Sequence, residues 1–167
     1  MRIHTLTTGA VRVKRAFLFP SAGPRRQLDL FLPGPWSDPL PIHCWAIEHE
    51  GRLLLIDSGE TAAAKNIPFA RFEVTREQEL PTALAAADLA LEDVSEVVLT
   101  HHHGDHVDGL IHVRAPVLIN EVEQRFLDSA SRGSCVASCA SRFPRGSPHR
   151  RSRSMADPSA PFSTAGH

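Results

Sequence analysis

The sequence predicts an α/β protein, and three observations predict it. Two short apolar runs, around Leu53-Leu54-Leu55-Ile56 and Val97-Val98-Leu99, each stop abruptly at a polar turn, as buried strands do. Between them Leu80, Leu84, Ala87 and Leu91 recur on one helical face, with Ala-rich filling. This strand–helix rhythm holds to about residue 128 and then stops. With 167 residues the chain has room for one domain and not comfortably for two.

The elements follow in order. Arg2 to Val13 alternates loosely and carries β-branched residues, which predicts an opening strand. Phe19 to Pro41 is rich in Pro and Gly around Leu28-Asp29-Leu30-Phe31-Leu32, and predicts a long structured loop that brings Trp36 toward a pocket. Ile42–His49 and Arg52–Asp57 read as a hairpin turned at Glu50-Gly51. Thr75 and Gln78 have capping-box spacing ahead of the Leu80 helix, although Pro81 leaves its start ambiguous. Val94–Thr100 is a strand with the unbroken apolar character of one covered on both faces. Pro116–Ile119 is a further short strand, and Asn120 is placed to cap a short helix through Phe126.

The totals exclude several classes. A hydrophobic fraction of 42% with 22% charged residues suits a soluble globular protein. A formal net charge of −1 gives no bulk attraction to nucleic acid or an anionic membrane, so neither is expected as a partner. The N-terminus has no secretory pattern and no apolar run is long enough to span a bilayer, so a cytoplasmic location is expected. Cys44, Cys135 and Cys139 are odd in number and form no CxxC pair; they read as incidental thiols. Oligomeric state is not legible.

The chemistry is concentrated in Thr100-His101-His102-His103-Gly104-Asp105-His106, an HxHxDH pattern directly after a strand. Alternate residues of an extended segment point the same way, so His101 and His103 face one metal together. A turn at Gly104 lets Asp105 and His106 face a second. Imidazole and carboxylate suit zinc and neighbouring first-row divalent ions, and two such metals sharing water generate hydroxide at neutral pH and polarise a carbonyl. His102 takes the spacer position and points away. Upstream, Ile56-Asp57-Ser58-Gly59 is another strand running into a small-residue turn. Asp57 there is either an orienter of the metal ligands or a plain turn residue.

These stretches, Leu54 to Glu60, Val97 through the HxHxDH, and Val107-Asp108-Gly109 after it, resemble the metallo-β-lactamase superfamily from Met1 to about Asp128. Within it the layout is most similar to N-acyl-homoserine-lactonase-like, quorum-quenching hydrolases. The resemblance implies an αββα sandwich, here its N-terminal half (1–128), with an irregular or disordered C-terminal tail (129–167). It implies a zinc-dependent hydrolase, two Zn2+ per complete site, that opens a lactone such as an N-acyl homoserine lactone, or a similar ester, through a metal-bound hydroxide. His101 and His103 would bind metal one and Asp105 and His106 metal two, with Asp105 also orienting the attacking water. A thioester hydrolase of the glyoxalase II kind uses the same metals with a different pocket and stays open. The family's further ligands are a His in a Gly-His turn, a bridging Asp and a final His. Thr164-Ala165-Gly166-His167 offers His167 for the first, or matches it by chance. The bridging Asp and final His have no candidate, and a chain without Tyr lacks the phenol that assists known lactonases.

From Ser129 the composition turns to Ser, Arg, Pro, Ala and Gly. Three readings stand: a disordered tail, a shifted reading frame that truncates the domain, and, with least support for want of interleaved aromatics, a nucleic-acid-binding segment. Function accordingly divides between a working dinuclear hydrolase, with Trp36 and Phe31 either walling an acyl chain or simply packing, and a truncated, inactive remnant of one.

Overall fold

Residues 1–23 and 25–130 are described by the computed structural model, and all that follows concerns them. The long first strand, β1 (Arg2–Val13), pairs antiparallel with β2 (Leu40–His49), which pairs antiparallel with β3 (Arg52–Ile56). Glu50 and Gly51 both take positive φ, 51° and 74°, which is the two-residue turn whose twist matches a hairpin. After a crossover, β5 (Val94–Leu99) joins β3 in parallel, and β6 (Val117–Ile119) joins β5 in parallel. The sequence did not suggest β4 (Ala70–Glu73), a four-residue strand on the outer side of β1. The resulting order is β4-β1-β2-β3-β5-β6.

The expected loop over Phe19–Pro41 carries more regular structure than its Pro and Gly content suggested. Helix α1 (Arg15–Leu18) precedes it, and α2 (Arg25–Phe31) lies within it. Lys14, nearly buried, explains the second helix: its Nζ donates to the carbonyls of Leu30 and Leu32 at 2.9 and 2.7 Å. A cation there satisfies acceptors that the end of a helix leaves open.

The helix expected from Thr75 onward is broken in two. The capping box is present, with the Thr75 N–H donating to Gln78 Oε1 at 3.0 Å, but it closes only a 3-10 turn, Arg76–Gln78. Helix α3 (Leu80–Ala85) restarts with Pro81 in its first turn, where a missing N–H costs nothing. Leu80 and Leu84 are fully buried, while Leu91 falls in a separate 3-10 turn, Leu91–Asp93.

The core lies on one face of the sheet. Leu6, Cys44, Ala46, Leu53, Leu55, Val97, Leu99 and Ile119 pack there against Leu80, Leu84 and Val107. Val98 between them is only half-buried, so β5 is not covered on both faces by the described elements. Two short segments, α4 (Gly104–Val107) and the 3-10 turn Asp108–His112, follow β5. Helix α5 (Glu121–Ala130) begins at Asn120, whose Oδ1 accepts the Val122 N–H at 2.8 Å, and runs past the expected end at Phe126. The tail from 131, with Cys135, Cys139 and His167, lies outside the described residues. Among the described residues no helix is long and apolar enough to cross a membrane.

Candidate metal centre

Because β3 and β5 are parallel neighbours, their two turns leave the same end of the sheet side by side. The turns are bolted together. Ser58 donates from both N–H and Oγ to the His106 carbonyl, at 2.8 and 2.9 Å, and the Gly109 N–H donates to the Gly59 carbonyl at 3.0 Å. No side chain fits between them: a Cβ on Gly109 would stand 2.0 Å from the Ser58 carbonyl oxygen. Gly59, at φ 74°, would bring one to 2.1 Å from Thr8 Oγ1.

Asp57 is the hub of this junction. It is 1% exposed and holds a left-handed backbone, φ 61°. Its carboxylate accepts the Thr100 N–H and Oγ–H, both at 2.8 Å, and the His106 Nδ1–H at 2.7 Å. Burial opposes ionisation of this carboxyl, but the His106 and Thr100 hydrogen bonds and the His106 charge outweigh it and hold its pKa below the ordinary value. For His106 burial disfavours the charge, yet Asp57 and Asp105 together raise the pKa. The Nδ1 bond commits His106 to present Nε2 outward, 3.8 Å from an Asp105 carboxylate oxygen.

His101 and His103 do come together: Nε2 of the first lies 3.0 Å from Nδ1 of the second. The His101 ring also stands against His106, with centroids 4.0 Å apart. Burial, and then the neighbouring His106 and His103, lower the His101 pKa, which favours a neutral ring with a free lone pair. His102 leaves this group and bonds to Glu123 on α5. Among the described residues no three His, Cys, Asp or Glu side chains converge as a ready metal site; what converges is the His101–His103 pair. The donor set itself fits zinc chemistry, which takes imidazole and carboxylate ligands at about 2.0–2.2 Å.

Three acids close to this site were not singled out from the sequence. Glu60 is 2% exposed and Asp108 6%. Burial pushes Glu60 up to about 8; the Thr61 N–H it accepts works against that, while Asp108 and Asp105 add to it. Glu60 Oε2 would lie 3.2 Å from a Cβ on Gly104, so glycine there leaves room beside the Asp105 turn. Glu60 and Asp108 do stand within the stretches that carried the resemblance; Glu123 had no such signal.

At the same end of the sheet, past Val13 on β1, Phe17 stacks on Phe69 at 5.9 Å and Phe31 meets it edge-on at 6.3 Å. Phe31 remains 63% exposed. Trp36 is engaged instead by Arg71, 4.2 Å above its ring, and pairs through its backbone with Lys14.

Residues 37–117 match the family model of the metallo-beta-lactamase superfamily. No curated relative matches the chain. Among solved structures, it is similar to AidC, a dizinc quorum-quenching lactonase in complex with a product, at 17% identity and TM-score 0.66 over 93% of this chain and 58% of that one. It is similar to a B. thuringiensis AiiA variant with N-decanoyl-L-homoserine bound at the active site, at 16% identity and TM-score 0.65 over 92% and 58%. A probable metal-dependent hydrolase from Staphylococcus aureus follows, at 21% identity and TM-score 0.58 over 77% and 50%. The fold is thus shared, and the chain spans about 58% of the length of these lactonases.

Proposed function

We infer that this chain, which carries the metallo-β-lactamase superfamily segment over residues 37–117, is a metal-dependent hydrolase that opens a lactone of the N-acyl homoserine kind. The observation that carries the reading is the convergence of His101 Nε2 and His103 Nδ1 beside His106, in a turn clasped to Asp57. His101 and His103 would hold one metal, and Asp105 and His106 a second. Bound divalent ions there supply Lewis acidity toward a carbonyl oxygen and acidify water. Asp57 holds the His106 tautomer and ring orientation. Asp105, on the open side of His106, accepts a proton from and orients water entering the site. Phe31 and the Phe17–Phe69 stack give an apolar wall at the same sheet end for an acyl chain, whereas Trp36 is taken up by packing.

A second reading has one observation in its favour: no three donors converge among the described residues. On it the chain keeps the motif without a working centre. Zinc titration of the purified chain, followed by an N-acyl homoserine lactone ring-opening assay at neutral pH, separates the two. Two equivalents of zinc and turnover in the usual enzyme range, about 10 per second at the median, support the hydrolase. One equivalent or none, without ring opening, supports the inactive form. Where the parent binds zinc, His101→Ala with His103→Ala should remove one equivalent; unchanged stoichiometry would then sink the assignment.

A further inference from the structure

His102 lies between the two histidines that converge; its ring stands 5.4 Å from that of His103, but its hydrogen bonds run to α5. One carboxylate oxygen of Glu123, Oε2, accepts both its backbone N–H, at 3.2 Å, and its Nδ1–H. Phe126, three residues on along α5, stacks on its ring with centroids 4.7 Å apart and 29° between planes. The helix that supplies both is itself in register with the turn. Asn120, which caps it, directly follows Ile119, and Ile119 pairs with Leu99, the last residue of the strand that opens into Thr100 and the histidines.

We propose that Glu123 is a positioning residue for the metal centre. It clamps His102 to α5 and so fixes the direction in which His101 and His103 point. The argument is that residue 102 is tied to α5 through both its side chain and its backbone, so the segment from which its two neighbours project cannot turn. His103 continues that segment in an extended backbone, φ −66° and ψ 150°, with its ring 5.4 Å from that of His102. A side-chain bond alone would leave the backbone free to rotate. The bond from the same oxygen to the His102 N–H removes that freedom, which is why a carboxylate serves here better than a packing contact.

This inference rests on the metal-site reading above, so its test has one arm with zinc and one without. In the first, zinc affinity is measured by competition with a chromophoric chelator for the parent, Glu123→Ala, Glu123→Gln and Glu121→Ala. Glu121 pairs with Arg125 on the same helix and serves as the control for helix stability. Glu123→Ala should weaken zinc by about 10–100-fold. Glu123→Gln, whose amide oxygen still accepts the backbone N–H, should recover part of that loss, and Glu121→Ala should match the parent. In the second arm, without metal, hydrogen exchange at the His102 amide should accelerate in Glu123→Ala and not in Glu121→Ala. Equal zinc affinity in Glu123→Ala and the parent overturns the proposal, as does an unchanged His102 amide. If the parent binds no zinc, the metal-site reading falls, and the His102 amide alone decides whether Glu123 sets the turn.

Discussion

Asp57 spends conformational energy in a left-handed backbone that Asn and Asp tolerate better than other residues with a Cβ, and it recovers that cost through three accepted hydrogen bonds. Two substitutions separate its roles. Asp57→Asn keeps the shape and tolerates the same φ, but removes the charge facing His106; zinc affinity should fall by about 10–100-fold while the fold survives. Asp57→Ala also strains the backbone and strands Thr100, so it should lower the melting temperature as well. Zinc binding as tight as the parent's in Asp57→Asn would reduce Asp57 to a turn residue. Cys44 gives a different test. Burial, reinforced by the Asp57 charge, pushes its thiol from 9.0 up to about 12. A folded pKa above the unfolded one means that the folded state keeps a proton which the unfolded chain releases. The stabilisation is therefore complete below pH 9 and is lost as pH rises toward 12. The stability difference between parent and Cys44→Ala, from urea unfolding at successive pH values, should shrink across that window. A constant difference would show that the fold does not hold the thiol protonated. The meeting of His101 with His103 was legible because residues two apart in an extended segment lie close together. Glu60, Asp108 and Glu123 were not, because the burial or pairing of an acid is decided by what distant segments bring against it.

At the scale of elements, the working unit is a pair of turns locked by close backbone approach. Gly109→Ala should destabilise the chain by about 1–3 kcal/mol, since the atom in the way is a backbone carbonyl that cannot rotate aside. Gly51→Ala in the β2–β3 turn makes a useful contrast. Its φ of 74° strains any residue with a Cβ, but nothing lies within 4 Å of that Cβ. Both variants should lower the urea midpoint, whereas only Gly109→Ala, by shifting the Ser58–His106 clasp, should also weaken zinc. Equal zinc affinity in the two would mean that the clasp does not hold the ligands. The hairpin and the strands entering both turns were legible from apolar runs and turn residues. The Phe19–Pro41 stretch was not: α2 is secured by Lys14, eleven residues before the helix begins, a contact invisible to local pattern. The Thr75–Gln78 capping box forms, yet the chain breaks the helix after one 3-10 turn and restarts it at Leu80.

Over the whole molecule the sheet is asymmetric. The helix-covered face holds the core, and the strand register gathers Ile3, Ile47, Trp45, Leu54, Ile56, Val98 and Leu118 on the other. The unbroken Leu53–Ile56 and Val97–Leu99 runs led to an expectation of strands covered on both sides, and they do place apolar side chains on both. What the described elements cover is one side: Trp45 is 37% exposed and Ile3 56%. A contiguous apolar patch of this kind attracts other apolar surface. The folded chain should therefore bind 1-anilinonaphthalene-8-sulfonate with a marked rise in fluorescence, at a temperature where circular dichroism still shows native secondary structure. The exposed Phe19, 71% accessible and outside the strands, is the internal control. Trp45→Lys combined with Ile3→Lys should cut the dye signal several-fold, because a cation on each of two neighbouring strands interrupts the patch at its exposed residues. Phe19→Lys should leave most of the signal in place. The reverse pattern would show that the dye reads the α1–α2 aromatics and that the far face of the sheet is already covered in solution.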